Sequence, residues 1–213
     1  MNPYRLLIPF FLSVTLIPSV CTQDDKNIFL VNIPTDRGEV PMEFHTCPEK
    51  YGCFIGSNEW NRPSVPIKTE GEIYIPDSIT APDGQRLPVR WISRGCFRCL
   101  PNVTKIRLPY TIEYLSDYSF QDCTSLREIN LPDSLKIIFP YAFRGCNALQ
   151  RIVLQCPKPP FDYEEPGYSK EVLNIATVVF PPASEKAYNK TDHIYKFFRY
   201  HANLLPAYPK QQP

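Results

Sequence analysis

Phe97, Phe120 and Phe143 are separated by 23 residues and then 23 again, and the apolar positions around them keep the same register. Eight residues before each Phe stand Val89, Ile112 and Leu135; five before stand Ile92, Leu115 and Ile138. After each Phe, the third residue is Leu100, Cys123 or Cys146, and the sixth is Val103, Leu126 or Leu149. The ninth is Ile106, Ile129 or Ile152, and the eleventh is Leu108, Leu131 or Leu154. A period in the twenties is the signature of a solenoid, whose units bury one face only by stacking on their neighbours.

In the strand pattern x-Ile-x-Leu, the Ile and Leu point inward and the alternating residues stand on the exposed sheet face. Those outward positions are Glu72 and Tyr74, Lys105 and Arg107, Glu128 and Asn130, Arg151 and Val153, then Thr177 and Val179. Ile73-Tyr74-Ile75-Pro76 is the first such strand, 33 rather than 23 residues before Ile106, and the extra ten residues fall in Ser78 to Pro88. Ala81-Pro82-Asp83-Gly84 marks a turn there, so one enlarged loop is expected to leave the stack. Upstream, Ile28 to Ile33, Val40 to Thr46 and Cys53 to Ile55 read as short strands outside the repeat. Residues 23–70 are therefore expected to cap the solenoid of residues 71–182. Ser184 to Tyr188 is expected to begin a short helix, with residues 183–213 forming a C-terminal cap and tail.

Lys plus Arg is 23 against 22 Asp plus Glu, a balance that leaves no field for nucleic acid. The 24 prolines against eight glycines suit rigid turns between short strands. Residues 1–22, with Arg5 and the apolar run Leu6 to Leu16, read as a secretory signal peptide; the run is too short to span a bilayer. Cys21 is a candidate for lipidation, which would add a lipid anchor to an exported protein.

Leu131-Pro132-Asp133-Ser134-Leu135, Ile138, Ala142-Phe143, Cys146, Leu149, Ile152 and Leu154 together resemble the BspA-type leucine-rich repeat. Its unit runs as a proline turn, an apolar pair, Ala-Phe, Cys and a strand of the form Leu-x-x-Ile-x-Leu. Cys96 and Ser119 stand in the Ala column and Leu100 in the cysteine column, replacements of tolerable size. The fold implied is a β-rich α/β solenoid, a short leucine-rich repeat stack of about five parallel rungs between the two caps. The resemblance further implies an exported, cell-surface, outer membrane-associated or extracellular protein of bacterial type.

Candidate chemistry is sparse. Cys123 and Cys146 are expected on adjacent rungs, about 5 Å apart, where buried free thiols are favoured over a disulfide. Cys96 and Cys99 have redox spacing, but Phe97 between them belongs to the core and no second pair completes a metal site. Cys47 and Cys53 are a candidate local disulfide. His45, His193 and His201 make no metal or catalytic motif, and Asp162, Glu164 and Glu165 read as a solvated loop. Asn102 and Asn189 open N-glycan sequons, while Ser78 and Ser134 sit in turns resembling bacterial O-glycan acceptors. No enzyme, cofactor or metal is expected. The expected function is binding of a macromolecule, protein or glycan, through the exposed face, with Trp60 as a loop contact. The alternative is a structural component of the bacterial cell envelope.

Overall fold

The inward alternation and the proline turns cut the chain into short strands that pair side by side. A computed structural model describes residues 28–47, 52–56, 62–139, 141–158, 160–162 and 177–184. Strands β1 (Ile28–Thr35), β2 (Gly38–Cys47) and β3 (Gly52–Ile55) are antiparallel neighbours. They are followed by β4 (Glu70–Tyr74), β5 (Ser78–Thr80), β6 (Arg86–Ile92), β7 (Asn102–Arg107) and β8 (Tyr114–Leu115). The remainder are β9 (Glu128–Leu131), β10 (Ile137–Ile138), β11 (Arg151–Leu154), β12 (Phe161–Asp162) and β13 (Thr177–Val179).

These strands sort into two parallel ladders. One runs β4-β7-β9-β11-β13 and the other β3-β6-β8-β10-β12. The β1/β2 hairpin joins them: β2 pairs with β3, and β1 meets β4 at Thr35 and Ile73. At that junction the Asp36 carboxylate accepts from Glu72 N at 2.7 Å. Gly71 is required there: its φ is +80°, and a Cβ would meet Asp36 Oδ1 at 2.2 Å.

Strand pairing follows the 23-residue period, with Ile106, Ile129 and Ile152 in one row and Ile92, Leu115 and Ile138 in another. Each unit thus visits both ladders once and returns through a turn that carries its Phe. Phe97, Phe120 and Phe143 are fully buried, their rings parallel to within 7° and 5.5 and 5.1 Å apart. The turns are also stitched by backbone: Phe97 N donates to Ser119 O at 2.7 Å and Phe120 N to Ala142 O at 2.8 Å. Cys123 Sγ donates to Phe97 O at 2.9 Å and Cys146 Sγ to Phe120 O at 3.0 Å. The cysteine column therefore supplies small apolar volume and a donor for a buried carbonyl of the preceding unit. The thiols are free and do not bridge.

The α component of the expected class is absent from the described residues, which hold only a 3-10 turn at Pro182–Ser184. The return turns explain why. Tyr118, Asp122 and Tyr141 take φ of 56°, 59° and 61°, and Gly95 and Gly145 occupy the same columns at 64° and 75°. With Cys99 at 56°, one left-handed residue stands on either side of each Phe and interrupts any right-handed helix. The helix expected from Ser184 to Tyr188 falls largely outside the described residues. The enlarged loop is a hairpin, with β5 antiparallel to β6 and Asp83 Oδ1 accepting from Gln85 N across the Asp83-Gly84 turn.

Candidate functional site

The outward positions of the β4 ladder come together as two columns. Glu72, Lys105, Glu128 and Arg151 are mutual strand partners, and so are Tyr74, Arg107, Asn130 and Val153. Opposite charges alternate along the first column. Lys105 Nζ donates to Glu128 at 3.1 Å, while Arg107 spans the columns, donating to Glu72 through Nε at 3.1 Å and Nη2 at 2.9 Å. Arg107 also lies over the Tyr74 ring, 5.3 Å from its centroid, and Tyr74 Oη donates to the same Glu72 carboxylate. The pairs are half-exposed, so their heads remain open to a partner while their geometry is held. Val179, in the second column on β13, is only 4% exposed, so the open part of the face ends at β11.

The opposite ladder carries a feature that the six all-apolar columns did not expose. Phe54, Trp91, Tyr114 and Ile137 are successive strand partners on its outer side. Trp91 and Tyr114 stack at 4.5 Å, and His45 stacks on Phe54 at 5.1 Å. Trp91 Nε1 donates to Ser116 Oγ, Lys136 lies over Tyr114, and Glu113 bridges Arg90 and Lys136. The signal was available in the sequence: Trp91, Tyr114 and Ile137 are spaced by 23 and immediately precede the inward Ile92, Leu115 and Ile138.

Residues 88–164 match the family described as the BspA type leucine rich repeat region, in six copies. The chain carries a BspA-type leucine-rich repeat region. A leucine-rich repeat protein from Bacteroides capillosus shares its fold at a TM-score of 0.51 and 20% identity, over 65% of this chain and 93% of that one. A T. pallidum leucine-rich repeat protein does so at 0.53 and 21% identity, over 78% of this chain and 80% of the other. No curated protein matches the sequence.

Within the repeat region, Cys96 fills the inward Ala slot, fully buried, and burial pushes its thiol well up. That environment opposes the thiolate that redox chemistry needs. Cys53, just upstream, is a free buried thiol pushed up to about 12 by desolvation. It pairs across the strands with Thr46, whereas Cys47 pairs with Gly52. The Cys47 side chain itself, Cys21, Trp60, Glu164, Glu165, Asn189, His193, His201 and the Asp162 side chain lie outside the described residues.

Among the described residues no group of three or more His, Cys, Asp and Glu is placed to hold a metal ion. None of their helices is long and apolar enough to cross a membrane, which says nothing about a β-barrel. Ser134 Oγ donates to Ile112 O at 2.6 Å and Ser78 Oγ to Asp77 at 2.7 Å, so both turn hydroxyls serve local structure.

Proposed function

We propose that the chain is an exported or cell-surface recognition module that binds a protein or glycan through the outward columns of β4, β7, β9 and β11. The observation that carries this reading is the register. Eight side chains of mixed charge, amide, aromatic and aliphatic character stand in two straight columns on one open face. Generic leucine-rich repeat proteins act as interaction modules, and this face offers the large polar-tipped groups, Tyr and Arg, that carry much of interface energy. In this reading the β4 ladder counts about five rungs, with residues 23–70 and 183–213 covering the ends. Residues 1–22 direct export, Cys21 is a candidate lipid anchor, and the protein binds without catalysing.

The test is a screen of the exported chain against protein and glycan arrays, repeated with Tyr74→Ala, Arg107→Ala and Arg151→Ala combined. The variant is expected to weaken capture at least ~tenfold, the equivalent of about 1.4 kcal/mol, with little change in melting temperature. Unchanged capture, together with loss on replacing Trp91 and Tyr114, would move the site to the opposite ladder.

A further inference from the structure

We infer that the charged sheet face pairs with a second copy of this chain, about a twofold axis that runs parallel to the strands between β7 and β9. This pairing presupposes the reading of that face as the binding surface and names its partner. The open patch has four strands, bounded by the β1 junction on one side and by buried Val179 on the other. In ladder order its first column reads Glu72, Lys105, Glu128, Arg151. Turned end for end, the same column reads Arg151, Glu128, Lys105, Glu72, and every acid meets a base.

A twofold axis along the strands performs that reversal. It keeps strand direction and inverts strand order, so β4 lies over β11 of the copy and β7 over β9, each contact occurring twice. Glu72 then faces Arg151 of the copy, and Lys105 faces Glu128. The second column is complementary under the same operation, with Tyr74 against Val153 and the Arg107 guanidinium against the Asn130 amide. An axis along the stacking direction instead sets Glu72 against Tyr74 and Arg151 against Val153, leaving desolvated charges without partners, which is costly.

The charges are held for this use. Lys105 and Glu128 are joined at 3.1 Å with side chains 23% and 30% exposed, and Arg107 and Glu72 are joined at 2.9 Å. A copy docking above them adds a second counter-charge to Lys105, Glu128 and Glu72, and an amide to Arg107, without first ordering those groups. Four strands spaced at about 4.8 Å, with two outward residues each, fall short of the ~800 Å² per partner of a standard interface. The dimer is therefore weak and salt-sensitive.

Sedimentation equilibrium of the full exported chain at low and high salt measures the pairing, and two variants decide it. Lys105→Glu places two acids at the centre of the column, and Glu128→Lys places two bases there. Each alone sets like charge on like and should weaken self-association at least ~tenfold. Mixed in equal amounts, the two should form a heterodimer as tight as the wild-type pair. Mixing cannot repair the internal Lys105–Glu128 bridge, so recovery reports contact between molecules. The double variant Lys105→Glu with Glu128→Lys restores the reversal symmetry and should dimerise alone, which guards against a folding defect in either single variant. A wild-type chain that stays monomeric at low salt, or singles that fail to associate when mixed, would overturn the pairing. If mixing fails while the Tyr74, Arg107 and Arg151 alanine variant still loses array capture, the pairing falls and the face remains the binding surface. If mixing succeeds and array capture is unaffected by that variant, the pairing stands and the external ligand binds elsewhere.

Discussion

The two parallel ladders enclose the same core with the same inward alternation, yet they use their outer surfaces differently. On the β3 ladder, Trp91 and Tyr114 stack face to face, Lys136 lies over Tyr114, and Glu113 is held between Arg90 and Lys136. Ring faces spent on one another leave only edges for a partner, and the ring stack stiffens that side. On the β4 ladder the outward groups are ion pairs on adjacent strands that stay partly exposed, and solvent screening keeps the contribution of such pairs to stability small. A repeat thus separates two kinds of information. What recurs inward sets the fold, and what differs outward is available for recognition.

The deepest test of this separation strikes the spine that both ladders share. Phe120 lies between Phe97 and Phe143, fully buried, with its backbone N and O both bonded to the following unit, at Ala142 O and Cys146 Sγ. Phe120→Ala is expected to cost about 3 to 5 kcal/mol in urea unfolding, the usual range for truncating a buried aromatic. A loss near that of a surface substitution, under about 0.5 kcal/mol, would mean that the ladders do not depend on the stack.

The repeat and its inward columns were readable because a 23-residue period aligns identical chemistry, and Ile106, Ile129 and Ile152 are indeed strand partners. The outward columns follow from alternation alone, which places Glu72, Lys105, Glu128 and Arg151 on one face without reference to their pairing. Other features depend on contacts that periodicity does not encode. The left-handed backbone at Tyr118 and Tyr141 has no glycine to announce it. The Glu72–Arg107 bridge crosses from one column to the other, and burial of Val179 depends on what packs against it, so neither follows from alternation. The β1/β2 hairpin was visible as two strands, but its role in joining the ladders rests on the single junction of Thr35 with Ile73.

A smaller effect is expected in the cysteine column. Cys146→Ala removes one of the two donors to Phe120 O, which keeps Cys123 N at 3.3 Å, a loss of about 0.5 to 1.5 kcal/mol by the usual net contribution of one hydrogen bond. The same substitution at Cys99, which lies outside the column and is partly exposed, should cost less. Equal losses at the two positions would remove the donor role from the explanation of the column.

The pH dependence of stability should distinguish the ladders most finely, because the ring-bearing side contains a buried titratable base. His45 stacks on Phe54, is 4% exposed, and has its imidazole pKa lowered by burial, against smaller opposing effects of the Gly56 backbone and Glu43. A depressed pKa means that the unfolded chain takes up a proton the folded chain resists. Stability due to His45 is therefore complete above the unfolded value of about 6.5 and declines as the pH falls below it. The carboxyl of Asp117, raised by burial with Arg94 opposing, works in the other direction, so the total slope mixes both groups. Comparing urea midpoints at about pH 7.5 and about pH 5.5 in wild type and His45→Gln isolates the imidazole, since the unperturbed His titrates within that window. Wild type should lose more stability than the variant over this interval. At the alkaline end the sign reverses in cause: Cys53 and Cys156, each pushed up to about 12 by burial, keep their protons while unfolded thiols ionise from about 9, so stability falls as the pH rises beyond that value. An acid-side slope that is the same with and without His45 would show that the imidazole is solvated, and that the ring-bearing ladder is as open at its outer surface as the charged one.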